Sequence, residues 1–279
     1  MLCPERSLFW WSKVSTMKIK NILIVYTKPK NTAEKETLQV VEKTLKRYNV
    51  DYTISKRERL NKKLFQNRDF VIAVGGDGTF LRASHFIFDK TPILGVNSDT
   101  KSKEGFFMPA TKKDFNKKFN KIINNNFKIK KLNRLEAYLN NKKIPELALN
   151  EFYISSEKEY HTARYYLALR GEKERQKSSG IIISTAAGSY AWMKSAGGKQ
   201  LPLNSDKFEY MVREPYCGRI SAKCGLVNGI LDKDEKIIVE FELGDGILIA
   251  DSLSREHTFK AKEKVAVKMS NNPLYSVSF

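Results

Sequence analysis

The sequence predicts an α/β N-terminal domain, a Rossmann-like parallel sheet with helices, followed by a mostly β C-terminal domain of stacked sheets or a sandwich. Three observations predict it. Short, continuous apolar runs alternate with helical patterns up to about residue 110. From Phe127 onward the chain reads mainly as strands without intervening helices. A length of 279 residues with 41% hydrophobic content allows one or two domains with a sizeable core.

Ile22 to Tyr26 is an apolar run, as expected of a strand buried on both faces. Asn31 and Glu34 offer a capping-box-like start to a helix, and Leu38, Val41, Leu45 and Tyr48 come next at helical spacing. Val50 to Ile54 alternates like a strand, and Leu60 and Leu64 mark a short amphipathic turn. Phe70 to Val74 is a second apolar run, ahead of a helix from about Phe80 to Phe88 and a third strand over Pro92–Val96. Phe115, Phe119 and Ile122 share one face of a basic helix. Later strands are expected at 164–169, 236–241, 246–250, 265–269 and 274–279, with hairpin turns at Asn140–Lys143 and Gly171–Glu174.

Fifty Lys and Arg stand against 31 Asp and Glu, a formal net charge of +19. That excess fits nucleic acid, polyanionic small molecules, or solvated Lys faces in a Lys-rich composition. The basic residues are scattered from end to end, which speaks against a nucleic-acid partner. No apolar stretch approaches the roughly 18 residues that would cross a bilayer, so no membrane partner is expected. Cys3, Cys217 and Cys224 are odd in number and without close pairs, so no disulfide framework is expected and a reducing cytoplasm is inferred. Residues 1–16 differ in character from the rest of the chain; they read as an extension or a misassigned start ahead of Met17.

Gly75-Gly76-Asp77-Gly78-Thr79 closes a buried strand and opens a helix. Glycines let backbone approach a phosphate closely, and a helix N-terminus directs N–H groups at it. Asp77 is the odd member, because a carboxylate among phosphates is repulsive unless it holds a metal or takes a proton. Both tasks belong to phosphoryl transfer. The bland alternative is a tight turn with Asp77 as a cap. The loop is neither the dinucleotide fingerprint nor a P-loop. Asn150-Glu151 reads as the end of the strand Leu147–Leu149, an amide beside a carboxylate that can grip a ribose or an adenine edge. A third motif runs from Ser178 through Ser184, Thr185, Gly188, Tyr190, Ala191 and Trp192 to Ser195-Ala196-Gly197-Gly198. It reads as strand, hydroxyl-rich turn and helix, able to line a nucleotide pocket or to form a close-packed joint.

The ordered set of three motifs resembles the NAD kinases, over roughly residues 18–279, with pocket features similar to the divergent mitochondrial-type members. Gly95-Val96-Asn97, Glu104-Gly105-Phe106 and Asp251 also fall where that family places them. Four segments are expected: the extension at 1–16, an α/β phosphate-loop domain at 17–110, a β-rich dinucleotide-binding domain at 111–255, and a strand segment at 256–279, which the resemblance implies returns to the first domain. It implies phosphorylation of the 2′-hydroxyl of the adenosine ribose of NAD, with ATP or polyphosphate as donor. Asp77 would be the catalytic base or orienting group, and Gly75, Gly76, Gly78 and Thr79 would bind phosphates. Asn150, Glu151, Ser184, Thr185, Gly188, Tyr190, Ala191, Trp192 and Ser195 would bind NAD. Mg²⁺ or another divalent ion would be held through phosphates and water, and a homodimer or homotetramer is implied. Ala186, Ala187 and Trp192 depart from the usual third motif, leaving NAD against NADH open. His85, His161 and His257 receive no role, His85 being read as packed or capping. Two other readings share the loop: a lipid kinase of the diacylglycerol-kinase type, and a non-catalytic dinucleotide sensor.

Overall fold

The computed structural model describes residues 18–158, 160–218, 224–253 and 255–279. The segment 1–16 and Met17 lie outside the described residues. The chain opens with β1 (Asn21–Tyr26), α1 (Thr32–Arg47), β2 (Asp51–Lys56), β3 (Phe70–Gly75), α2 (Asp77–Ser84), β4 (Ile93–Asn97), β5 (Ala110–Thr111), α3 (Phe115–Ile123) and β6 (Lys128–Leu132). Next come β7 (Leu135–Leu139), β8 (Lys142–Ala148), β9 (Glu151–Ser156), β10 (Ala163–Leu169), β11 (Glu172–Ser178), β12 (Ile181–Ser184), the short α4 (Trp192–Ser195) and β13 (Phe208–Val212). The last strands are β14 (Asn228–Leu231), β15 (Lys236–Leu243), β16 (Gly246–Ala250), β17 (Glu256–Phe259), β18 (Lys264–Met269) and β19 (Leu274–Ser278).

The first sheet has the order β2-β1-β3-β4-β19-β6, with β5 also on β4. Its inner strands are parallel, and β6 runs antiparallel against β19. β1 and β3 are wholly apolar in their centres because both faces are covered. Val41 and Leu45 of α1 and Phe115, Phe119 and Ile122 of α3 cover one face. Phe80, Leu81 and Ala83 of α2 pack on the other, together with Leu149 and Ala187 from the β region. Asn31 caps α1 by accepting from Glu34 N, while the Glu34 carboxylate accepts from Lys30 N. This is a capping box displaced by one residue.

The β region is two six-stranded sheets, β11-β10-β15-β18-β7-β8 and β14-β13-β12-β9-β16-β17. Their inner faces share one core that includes Tyr165, Phe241, Phe152, Ile183 and Phe208. Asn140 and Asn141 take φ of 48° and 66° in the β7–β8 hairpin, and Arg170 and Gly171 take 53° and 81° in the β10–β11 hairpin. Left-handed pairs of this kind match the twist of the strands they join.

Three expectations are corrected. α2 begins at Asp77 and ends at Ser84, not 80–88, because Gly76 takes the extended conformation of an N-cap and the helix starts at once. Asn150-Glu151 does not end a strand: β8 stops at Ala148 and Glu151 begins β9. Cys217 and Cys224 form a disulfide, with Cα atoms 6.0 Å apart. Both cysteines are flanked by residues held on β11, Tyr216 N by Lys177 O and Gly225 N by the Glu174 carboxylate, which brings the pair together. With the pair formed, cysteine usage no longer points to a reducing compartment. No helix among the described residues is long and apolar enough to cross a membrane.

Candidate active site

The glycine loop lies between the end of β3 and the start of α2. A Cβ on Gly75 would come within 2.3 Å of the Thr79 hydroxyl, so only glycine lets that hydroxyl tuck against the strand end. Thr79 Oγ1 is buried without a partner. Asp77 is the first residue of α2, and its carboxylate accepts from Gly105 N at 3.0 Å and Phe107 N at 2.8 Å. Those two bonds fix the orientation of the carboxylate and leave each oxygen a second lone pair. A cleft of about 540 Å³ opens beside it, lined among others by Gly76, Gly78, Lys30, Arg57 and Lys103. Lys103 pairs with the largely buried Glu34. Burial pushes the Glu34 carboxyl up, but Lys103 and Lys30 N outweigh it, and the net shift is downward.

The second and third motifs meet in a buried knot. Thr185 N and Ser184 Oγ donate to Asn150 O, at 2.9 and 3.2 Å. Thr185 Oγ1 donates to Leu149 O at 2.6 Å and accepts from Gly188 N at 3.0 Å. These hydroxyls therefore hold the loop together. A Cβ on Gly188 would lie 2.1 Å from Asn150 O, so the close approach requires glycine. Two polar atoms of the knot are buried without partners, Asn150 Oδ1 and Glu151 Oε2. Orphaned buried acceptors of this kind are what a ligand's hydroxyl or amino groups satisfy. Burial, reinforced by the charge of Asp251 and opposed by the Ser252 hydroxyl, pushes the Glu151 carboxyl up to about 8.

Residues neighbouring the first motif bring it towards the other two. The Phe106 ring, next to the backbone that holds Asp77, lies 5.3 Å from the Tyr190 ring of the third motif. Phe80 of α2, Leu149 and Ala187 share one apolar cluster. Trp192 and Ser195 stand apart: they line a separate cavity of about 280 Å³ on the outer face of the β9–β12–β13 sheet, and Ala191 is half-buried beside them. There Trp192 packs on Tyr153 at 4.9 Å, with the Arg213 guanidinium 5.2 Å above its ring.

Several residues escape sequence reasoning. Glu209 stands level with Ser184, which in turn pairs with Glu151 on the other side, and its Oε1 is buried without a partner. Arg134 is fully buried. His85 reaches Asp251. Only the alternation around Phe208–Val212 could have flagged Glu209, as a charge on a strand; the other two carry no sequence signal.

Fold and site together define a two-domain, nucleotide-binding kinase with a glycine-rich loop at a strand-to-helix turn. The ATP-NAD kinase N-terminal domain model matches residues 12–127. An NAD kinase of Chlorobium limicola is 30% identical over 210 residues, covering 73% of this chain and 69% of that one. The chain belongs to the NAD kinase family. A probable NADH kinase of Oryza sativa subsp. japonica is 29% identical over 286 residues, covering 95% of this chain and 86% of that protein. Yeast NADH kinase, solved in complex with NADH, shares the fold with a TM-score of 0.81 at 18% identity, over 96% of this chain and 88% of that one. An Archaeoglobus fulgidus NAD kinase solved with ATP does so at 0.75 and 23%, over 92% of each chain.

Proposed function

We propose that the protein transfers the γ-phosphoryl group of ATP to the 2′-hydroxyl of the adenosine ribose of NAD, giving NADP. The observation that carries the reading is the Asp77 carboxylate, oriented by two backbone N–H groups at the edge of a cleft lined with Lys30, Arg57 and Lys103. The 2′-hydroxyl proton passes to Asp77 as the oxygen bonds to the γ-phosphorus and the bridging bond to ADP breaks. The N–H groups of Asp77 and Gly78, in the first turn of α2, donate to the phosphates. Asn150 and Glu151 bind the adenosine end of the dinucleotide through their orphaned oxygens.

Among the described residues no three His, Cys, Asp or Glu side chains converge as metal ligands. The residues present fit a divalent ion carried by the donor's phosphates and water, where it would neutralise charge.

The test is incubation with NAD, ATP and Mg²⁺, with NADP read by an NADP-specific dehydrogenase. The parent is expected to form NADP, and Asp77→Asn to form it about 10²–10⁴-fold more slowly. A parent that makes no NADP(H) from NAD or NADH, with either ATP or polyphosphate, sinks the reading.

A further inference from the structure

We propose that His85 is a positioning residue, which ties the C-terminal end of α2 to the backbone carrying Asn150 and Glu151 and so sets their distance from Asp77. The inference rests on the assignment of Asn150 and Glu151 to the dinucleotide.

Asp77 is the first residue of α2 and His85 its C-cap. Eight helical residues at about 1.5 Å each make a stiff rod of about 12 Å. His85 Nε2 lies 2.7 Å from Asp251 Oδ2, with the histidine side chain 10% exposed and the carboxylate fully enclosed. Asp251 also accepts from three consecutive N–H groups: Leu149 at 2.9 Å, Asn150 at 2.6 Å and Glu151 at 3.2 Å. Four partners fill the carboxylate's hydrogen-bonding capacity. Asp251 N returns a bond to Glu151 O at 2.9 Å, and Asp251 itself takes a left-handed φ of 53°. The carboxylate is thus a fixed hub, and the histidine is its link to the helix.

Arg134 also holds this helix end, donating to Ser84 O and Ile87 O at 3.0 Å. Arg134 touches none of the 149–151 N–H groups, so it anchors α2 without setting the strand end. Removing the His85 contact leaves Asp251 on its three N–H groups but takes away a directional tie between that unit and α2, leaving the non-directional packing of Phe80 with Leu149 and Ala187 to hold the two together. The dinucleotide end then shifts against the loop, and a misplacement of about 1 Å costs up to about 100-fold in a reacting site.

The test uses the full chain with His85→Leu and His85→Gln; the glutamine amide can still donate to Asp251. Affinities for NAD and for ATP are measured separately by calorimetry, with amide hydrogen exchange followed at Leu149, Asn150 and Glu151. The leucine variant is expected to bind NAD about tenfold more weakly and ATP within about twofold of the parent, with faster exchange at the three amides. The glutamine variant is expected to recover most of both. Equal weakening of NAD and ATP, unchanged exchange at 149–151, or a glutamine variant no better than leucine overturns the proposal. If His85→Leu fails to fold, His85→Asn, whose amide falls short of Asp251, takes its place under the same criteria. Neither readout needs turnover. A parent that binds NAD without making NADP refutes the kinase assignment and leaves this test standing.

Discussion

Burial holds the Glu151 carboxyl at about 8, against an ordinary value of 4.5, and the charge of Asp251 adds to the shift. Between those two values the native state keeps a proton that the unfolded chain has released. Stability from this group is therefore fully present below about 4.5 and is lost as pH rises through about 8. Glu151→Gln, neutral at every pH, removes the dependence. The melting temperature of the parent is expected to fall relative to that of Glu151→Gln between about pH 5 and about pH 9 in thermal scans; parallel curves would show that the carboxyl is not held protonated. Asn150 Oδ1 and Glu151 Oε2 are orphaned together, so the same knot that titrates is the one prepared for a ligand.

At the scale of elements, the turn from β12 into α4 matters most, because it presses on the Asn150 backbone. Gly188→Ala puts a methyl group 2.1 Å from Asn150 O, a backbone atom that cannot swing aside. Overpacking of this kind costs about 1–3 kcal/mol, expected as a lower urea midpoint together with weaker NAD binding. A variant with parental stability and affinity would mean that the turn yields. Elements whose pattern is local were legible in the sequence: β1, β3 and β4 from apolar runs, α1 from its cap and spacing, the two hairpins from their turn residues. β6 was not, because Lys128–Leu132 buries only its last residue fully and draws its place from β19, far along the chain. The helix expected after the third motif's turn is α4, but it is a single turn of four residues, a length the small residues around it do not encode. In the site, Asp77 stood out because it sits in a local loop. His85 and Arg134 did not, since their partners lie 166 and up to 139 residues away and no local spacing encodes them.

Over the whole molecule, Arg134 fastens the two crossings between the first sheet and the β sandwich. It sits between β6 and β7, and it donates to Asn272 O, Asn272 Oδ1 and Pro273 O between β18 and β19, as well as to the end of α2. Burial lowers its guanidinium to about 10, opposed by the charge of Asp251. Arg134→Leu leaves several buried carbonyls unpaired, at about 1–3 kcal/mol each. Cooperative unfolding in urea is expected to move to a markedly lower midpoint; a shift no larger than that of an exposed Lys→Leu control would show the staple to be dispensable. β19 fills the slot between β4 and β6, and the entire sandwich is made after β6 and before β19. On the ribosome the first sheet therefore waits with the edge of β4 covered only at one end, by β5, until β19 emerges. The half of the molecule synthesised first is sealed last, and a chain stalled within the sandwich exposes a strand edge open to unwanted pairing.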